Sequence, residues 1–308
     1  SPSLRAVSPS LPSPSSSHDA EASISTSLKY QPKLLFKLDQ VGGWPGKVTA
    51  PTGVAFLPDG NLVVAECENR LQLFDQAGQS IRIIGWGKIR PCSVVVSREG
   101  HISITDKKDC CVKIYQVDGT CLASWGTGQL SSPSGIAIMS NSHYIVTDVN
   151  RHSVSIHSAE GNLLSQFGQW GCDDYQFNNP SHITVDQHDN ILVSDAGNSC
   201  VKIYDKAGLF VRKISLGNSK HGQLRKPQGI SVDNRGHIFV SDRDNHRISM
   251  LTYDGRFVCH LLTKNDGIRF PSDIAVDVSA NHLAIAETHT GFLTKDPHHA
   301  VKLYHLNG

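Results

Sequence analysis

Six carboxylates recur along the chain at a spacing that invites an acid–base reading: Glu66, Asp106, Asp148, Asp195, Asp242 and Glu287. Paired carboxylates act as general acid and base where their surroundings push their pKa values apart. Six copies, each closing a similar apolar run, fit a structural duty better, since a carboxylate there accepts hydrogen bonds from the turn into the next strand. The other reactive side chains are sixteen histidines and eight cysteines. Cys67, Cys92, Cys110, Cys111, Cys121, Cys172, Cys200 and Cys259 form no CxxC pair. There is no HExxH and no paired ligand spacing, and His298-His299 is merely adjacent, so no structural metal is expected. Most of the cysteines fall on or beside expected strands, where a reduced thiol packs as a small apolar group. GxSxG, GxxxxGK[ST] and a dinucleotide fingerprint are also missing. The reading is a non-enzymatic chain, with no catalytic residue and no cofactor.

What remains is chemistry for binding. Lysines, arginines, histidines and rings gather in a few loops: Arg90, Lys107-Lys108, Arg151-His152, Tyr175, Phe177, His182, Lys220-His221, Arg225-Lys226, Arg243, His246-Arg247 and Arg269. Cationic side chains meet phosphates, and rings stack on unpaired bases, so this mixture suits single-stranded nucleic acid. Taken singly, a lysine is a solvated loop and an aromatic fills a gap between structural units. Only accumulation on one surface carries information.

The elements that must position these residues are strands. Lys226 to Leu262 contains four runs with apolar residues at alternate positions: Gly229–Asp233, His237–Asp242, Arg247–Thr252 and Arg256–Leu262. Period two argues for strands with one buried face, and Asn234-Arg235-Gly236 and Asp254-Gly255 supply turn residues between them. The pattern repeats. Pro51, Pro91, Pro133, Pro180, Pro227 and Pro271 open six units spaced by 40, 42, 47, 47 and 44 residues. The recurrent acid follows its proline by 15 residues in five units and by 16 in the last. Six four-stranded units at this period imply an all-β, six-bladed β-propeller. The sixth unit stops after its third strand, while an orphan apolar run, Leu34–Leu38, precedes the first proline. That N-terminal run is expected to supply the missing strand and close the ring, leaving no open edge.

In such a ring, the loops entering the first and third strands of each unit share one face. That face collects fifteen bases, namely Lys47, Arg70, Lys88, Arg90, Lys107, Lys108, Arg151, Lys220, Arg225, Lys226, Arg243, Arg247, Lys264, Arg269 and Lys295. The opposite rim has Arg98, Lys206, Arg235 and Arg256 against eleven acids: Asp59, Asp75, Glu99, Asp118, Glu160, Asp186, Asp189, Asp205, Asp233, Asp254 and Asp277. A net charge of +1 over 308 residues thus conceals a dipolar disc.

Asp242-Arg243-Asp244-Asn245-His246-Arg247-Ile248, after Pro227-Gln228-Gly229-Ile230, resembles the NHL repeat. Pro51-Thr52-Gly53 and Pro133-Ser134-Gly135 repeat its opening, and Cys67-Glu68-Asn69-Arg70-Leu71 and Gly197-Asn198-Ser199-Cys200-Val201 are weaker forms of the second motif. Over about residues 33–308 the chain is similar to the propeller of the TRIM-NHL protein family. The resemblance implies a cytoplasmic domain that binds single-stranded, often U-rich RNA of mRNA 3′ regions on its basic face, not DNA or membrane. It further implies post-transcriptional repression, with mRNA-repression or silencing-complex proteins as partners. An alternative the family also implies is a protein-interaction propeller recruiting partners or substrates for a RING-type ubiquitin ligase, whose RING would lie outside this chain. Departures exist: Cys111, Ser153, Cys200 and Ala300 stand before the third strand where the repeat often has Arg, and Thr288–His299 is an insertion. NHL-like rings that act as metal-dependent lyases or lactonase-like hydrolases would bring a secretory signal, disulfides and axial metal ligands, which are not seen here.

Residues 1–30 are Ser/Pro-rich and lack periodicity. They are expected to be a disordered linker, without the apolar core of a signal peptide or a membrane span. Residues 31–308 form the propeller. The linker at the start also leads one to expect a C-terminal fragment of a longer protein.

Overall fold

The computed structural model describes residues 30–216, 221–277, 279, 281–289 and 298–307. The expected linker, apart from Tyr30, lies outside the described residues, as do Lys220, Phe292 and Lys295.

Six four-stranded antiparallel sheets stand around a common axis. In blade V, for example, the strands are Pro227–Val232, Ile238–Asp242, Arg247–Leu251 and Phe257–Leu262, from axis to circumference. Contacts between the inner strands of successive blades, starting at Pro51, Pro91, Pro133, Pro180, Pro227 and Pro271, complete the circle. The ring closes as the sequence implies. Gln31–Leu38 is the outer strand of blade VI, pairing antiparallel with His298–Asn307 from Gln31↔Asn307 to Leu38↔Val301. A four-stranded sheet made of both ends of the chain leaves no blade incomplete.

The two sequence landmarks turn out to be partners. In every blade the proline lies directly across from the recurrent acid: Pro51↔Glu66, Pro91↔Asp106, Pro133↔Asp148, Pro180↔Asp195, Pro227↔Asp242 and Pro271↔Glu287. A register irregularity follows each proline, as expected where a residue without an N–H enters a ladder.

Second and third strands are buried on both faces, which explains runs such as Leu62–Glu66 and Ile191–Asp195. Fourth strands are largely exposed, as in Leu163–Phe167. Apolar clusters fill the spaces between neighbouring blades. Leu192, Val201 and Ile203 of blade IV, for instance, pack with Ile230, Ile238 and Val240 of blade V. Hydroxyls clasp adjacent blades near the axis. Thr52 Oγ1 donates to the Pro91 carbonyl (3.4 Å), Thr147 Oγ1 to Ser181 (2.8 Å), Ser181 Oγ to Pro227 (3.2 Å) and Ser272 Oγ to Pro51 (2.8 Å).

Candidate nucleic-acid interface

The face carrying the loops into first and third strands is built on the six recurrent carboxylates. Each is buried, and its main partner is the crossing loop rather than only the turn that follows it. Glu66 accepts from Thr49 N (2.8 Å), Asp106 from Arg90 N (2.8 Å), Asp195 from Asn178 N (2.8 Å), Asp242 from Arg225 N (2.7 Å) and Glu287 from Arg269 N (3.2 Å). Asp148 takes Ser131 N, Ser132 N and Arg151 N. In every blade but III the remaining carboxylate oxygen faces a cation on the third strand, and in blades I, IV, V and VI that cation also donates to carbonyls of the same loop. Arg70 binds Glu66 and the carbonyls of Gly42, Gly43 and Lys47. Arg247 binds Asp242 at 2.6 Å and the carbonyls of His221, Gly222 and Gln223. Burial pushes the Glu66 and Asp195 carboxyls up from their ordinary values, against the opposing pull of Arg70 at the first and of Asn198, the Asn178 N–H and Lys202 at the second. In blades I, IV, V and VI acid and cation together staple the long loop at both its N–H and its C=O groups.

Three of the four departures from the repeat now have a physical account. Where Cys111, Cys200 and Ala300 replace the arginine, a lysine sits two residues on, on the same face of the strand: Lys113, Lys202 and Lys302. Lys113 Nζ is 2.6 Å from Asp106, Lys202 Nζ 3.2 Å from Asp195 and Lys302 Nζ 2.7 Å from Glu287. Period two marks these positions in the repeated segments Cys111–Tyr115 and Cys200–Tyr204, a signal the sequence reading did not use. Asp106, Asp109 and Cys111 are close enough together to suit a metal ion, but the Lys113 ammonium already bridges the two carboxylates.

Several expected binding residues are accordingly withdrawn from the surface. Arg247 is the structural cation of blade V, its side chain 14% exposed. Phe177 is wholly buried, packed against Phe167 and Tyr204 in the core between blades III and IV. His182 is buried on the axis, not in a surface loop. His152 and His246 occupy left-handed turn positions, with φ of 51° and 53°. Their Nδ1 atoms accept the N–H of Asn179 and Phe270, the residues preceding the next blades' prolines. One edge of each imidazole is therefore committed to structure, and burial, with Lys264 nearby, lowers the pKa of His246.

The other cations remain on the face. Lys88, Arg90, Lys107, Lys108, Arg151, Arg225, Lys226, Lys264 and Arg269 are exposed, and Lys47 and Arg243 half-buried. Arg90 and Lys107 are joined through their backbones, Lys107 N donating to the Arg90 carbonyl (2.9 Å). Lys108 reaches the Gly87 carbonyl (3.2 Å), and Lys226 pairs with Asp244 (3.4 Å). Exposed acids are interspersed (Asp39, Glu68, Asp109, Asp173, Asp174 and Asp266), so the positive character is greatest over blades II and III. Rings complete the surface. Trp44 and Trp170 are 73% and 71% exposed, with Trp86 and Tyr175 about half exposed. The Arg70 guanidinium lies 5.4 Å from the Trp86 ring centroid. His221 stacks on Phe257 at 3.9 Å, and Phe270 holds His289 in a parallel stack at 3.9 Å beneath the Arg243 guanidinium. Trp44, Phe270 and His289 escaped the sequence reading because their exposure depends on how the crossing loops lie.

On the opposite rim the acids have a conformational origin. Asp75, Asp186, Asp205 and Asp233 each accept two backbone N–H groups within their own hairpin turn. Tight turns recruit Asp, and the fold places all those turns on one side.

The NHL repeat model matches residues 130–156, 177–204 and 224–249, which fall in blades III, IV and V. The chain is 31% identical over 132 residues to the human "E3 ubiquitin-protein ligase TRIM32", covering 37% of this chain and 20% of that protein. It is 30% identical over 141 residues to "Protein brain tumor" of Drosophila melanogaster, covering 43% and 14% respectively. The chain thus spans a minor part of the length of these relatives. Among solved structures, a streptogramin B lyase superposes with a TM-score of 0.63 at 17% identity, covering 88% of this chain and 98% of that one. This last likeness is one of fold. Among the described residues no helix is long and apolar enough to cross a membrane.

Proposed function

The chain is an NHL-repeat propeller of the TRIM-NHL family, and from that premise we propose that its basic face binds single-stranded RNA, U-rich in sequence, for post-transcriptional repression in the cytoplasm. The observation that carries this reading is the exposed set Arg90, Lys107, Lys108 and Arg151 beside exposed tryptophans, on loops whose backbone N–H groups are held by the buried Asp106 and Asp148. Phosphates would meet the cations, and bases would stack on Trp86, Trp170 and Tyr175. Arg225, Lys226, Arg243 and Arg269 extend the track over blades V and VI, with His221, His246 and His152 offering a ring edge each. Rigid positioning lowers the ordering cost of binding. The test is selection of bound sequences from a random RNA pool by the chain, repeated with Lys107→Glu/Lys108→Glu/Arg151→Glu. Enrichment of a single-stranded motif that the variant loses is expected; equal enrichment by both proteins would remove the assignment of this face.

A second reading, recruitment of proteins for a ubiquitin ligase, is favoured by the name of the human relative. An RNA pool without enrichment, alongside specific protein capture by the same face, would establish it instead.

A further inference from the structure

The third residue of the inner strand alternates around the ring: Gly53, Ser93, Gly135, His182, Gly229 and Asp273 in blades I to VI. Each glycine lies against the backbone of the polar residue in the next blade. A Cβ on Gly135 would come within 2.7 Å of His182 Cα, and one on Gly229 within 2.4 Å of Asp273 Cα. Side chains therefore fit only in every second blade, and the three present are all polar. They line an axial channel of about 220 Å³ whose walls come from all six inner strands. The prolines at the upper end are buried, whereas Phe56, Val96 and Val276 at the lower end are half-buried. The channel thus opens on the acidic rim and ends blind at Ser93, His182 and Asp273.

This blind end is rich in acceptors. Asp273 Oδ2 takes the Val54 N–H at 2.9 Å, while Oδ1 stands 3.7 Å from His182 Nε2, beyond hydrogen-bond reach. His182 Nε2 lies 3.3 Å from the Thr52 carbonyl. A carbonyl only accepts, so Nε2 carries a hydrogen in this contact, and the other ring nitrogen is Nδ1. That atom has no partner, in a residue 7% exposed. The Ser93 hydroxyl makes no hydrogen bond to a described residue. Among the described residues no other ionisable side chain lines this channel. Burying a carboxylate is costly, and burial raises the Asp273 carboxyl against the opposing pull of His182 and of the Val54 and Ile274 N–H groups. Around the mouth, the turns that end the inner strands carry Asp59, Glu99, Asp186, Asp189, Asp233 and Asp277 against Arg98 and Arg235, a field that draws cations in.

An ammonium on an apolar stem satisfies every part of this arrangement. Its charge answers Asp273, its N–H groups answer Asp273 Oδ1 and Ser93 Oγ, and its methylenes suit walls such as Val54, Ile136 and Ile230. From the third to the sixth residue of a strand is roughly 10 Å, the reach of a short linear alkylamine. We infer that the axial channel binds a linear alkylammonium, entering from the acidic rim and seating its terminal nitrogen among Ser93, His182 and Asp273. The group comes either from a free polyamine or from the lysine of a protein partner. The site faces away from the RNA surface and stands whether or not RNA binds.

Calorimetric titration of the chain with spermidine and with the peptide Gly-Lys-Gly tests this. Binding of spermidine alone assigns a free polyamine, binding of the peptide alone assigns a protein-borne lysine, and binding of both supports the shared chemistry. Asp273→Asn keeps an oxygen for the Val54 N–H but removes the charge, and is expected to weaken binding about tenfold or more. Asp254→Asn, on an outer turn of the rim, should leave binding unchanged. Ser231→Phe, which obstructs the channel wall without touching the three polar residues, should abolish it. Should Asp273→Asn fail to fold, the imidazole resonances of His182 in the unaltered chain decide, and a ligand-dependent shift is expected. No binding, or binding that ignores both Ser231→Phe and Asp273→Asn, overturns the inference.

Discussion

Lys202 Nζ lies 3.2 Å from Asp195 Oδ2, and neither side chain reaches solvent. The ammonium also donates to the carbonyls of Asp173 and Gln176 in the crossing loop above, so one ion pair holds both a blade and a functional loop. Lys202→Met strands a buried carboxylate and is expected to cost about 3–5 kcal/mol in urea unfolding. The double variant Lys202→Met/Asp195→Asn should recover part of that loss, since it removes the uncompensated charge. An effect on the scale of an exposed control, Lys206→Met, would contradict a structural role.

Neutralising Lys107, Lys108 and Arg151 together should weaken RNA binding at low salt and flatten its salt dependence. The slope should fall by about 0.7 for each phosphate contact removed. Lys202 and Arg247, though cationic and on the same side of the ring, should contribute nothing to that slope beyond any loss of folded protein. Affinity measured between 50 and 300 mM salt distinguishes the two groups.

Trp170→Ala should lower RNA affinity by about 1–3 kcal/mol, the size of one base–ring stack, and leave unfolding unchanged because the ring is 71% exposed. Phe177→Ala should do the reverse, costing about 3–5 kcal/mol of stability through the cavity it leaves. Paired binding and denaturation curves separate a stacking ring from a core ring.

Deleting residues 1–38 removes the outer strand of blade VI, while deleting 1–29 leaves it in place. The shorter deletion should melt like the whole chain, and the longer one should lose cooperative unfolding altogether, since His298–Asn307 would be left as an open edge. Calorimetry of the two chains gives the comparison; equal melting temperatures would contradict the closure.

Burial raises the Asp273 carboxyl above its ordinary value, so the native protein holds that proton more tightly than the unfolded chain. The associated stability is complete below the unfolded pKa and is lost as pH rises through the raised native value. Asp273→Asn carries no charge at any pH and escapes that loss. Its melting temperature should therefore gain on the unaltered protein from acid toward neutral pH. A difference that stays constant across this range would contradict the burial argument.

Much of the architecture was legible because several landmarks keep one register. Proline and acid recur at fixed separation because they face each other across the first strand pair, and alternation survives because each sheet needs one face per neighbouring blade. The interface was legible only in part. Lys107, Lys108 and Arg151 sit in short turns whose direction follows from strand order. Arg247 opens a strand and Phe177 lies in a loop, yet one is drawn inward by Asp242 and the other by Tyr204. No local pattern distinguishes a cation bound to its own blade from one offered to a ligand; the difference lies in a carboxylate five residues earlier and in carbonyls more than twenty residues away. The axial residues were hidden for a related reason. Gly53 and Asp273 occupy one structural position, but their shared channel exists only once six separate strands have come together.

Pairing Gln31 with Asn307 sets an order of events during synthesis. The outer strand of blade VI has no partner until that blade's last hairpin has emerged, so five blades must assemble while Leu34–Leu38 waits unpaired. Completion of the ring is thus a late, chain-wide step. A messenger cut short within blade VI would yield a propeller whose N-terminal strand has nowhere to dock.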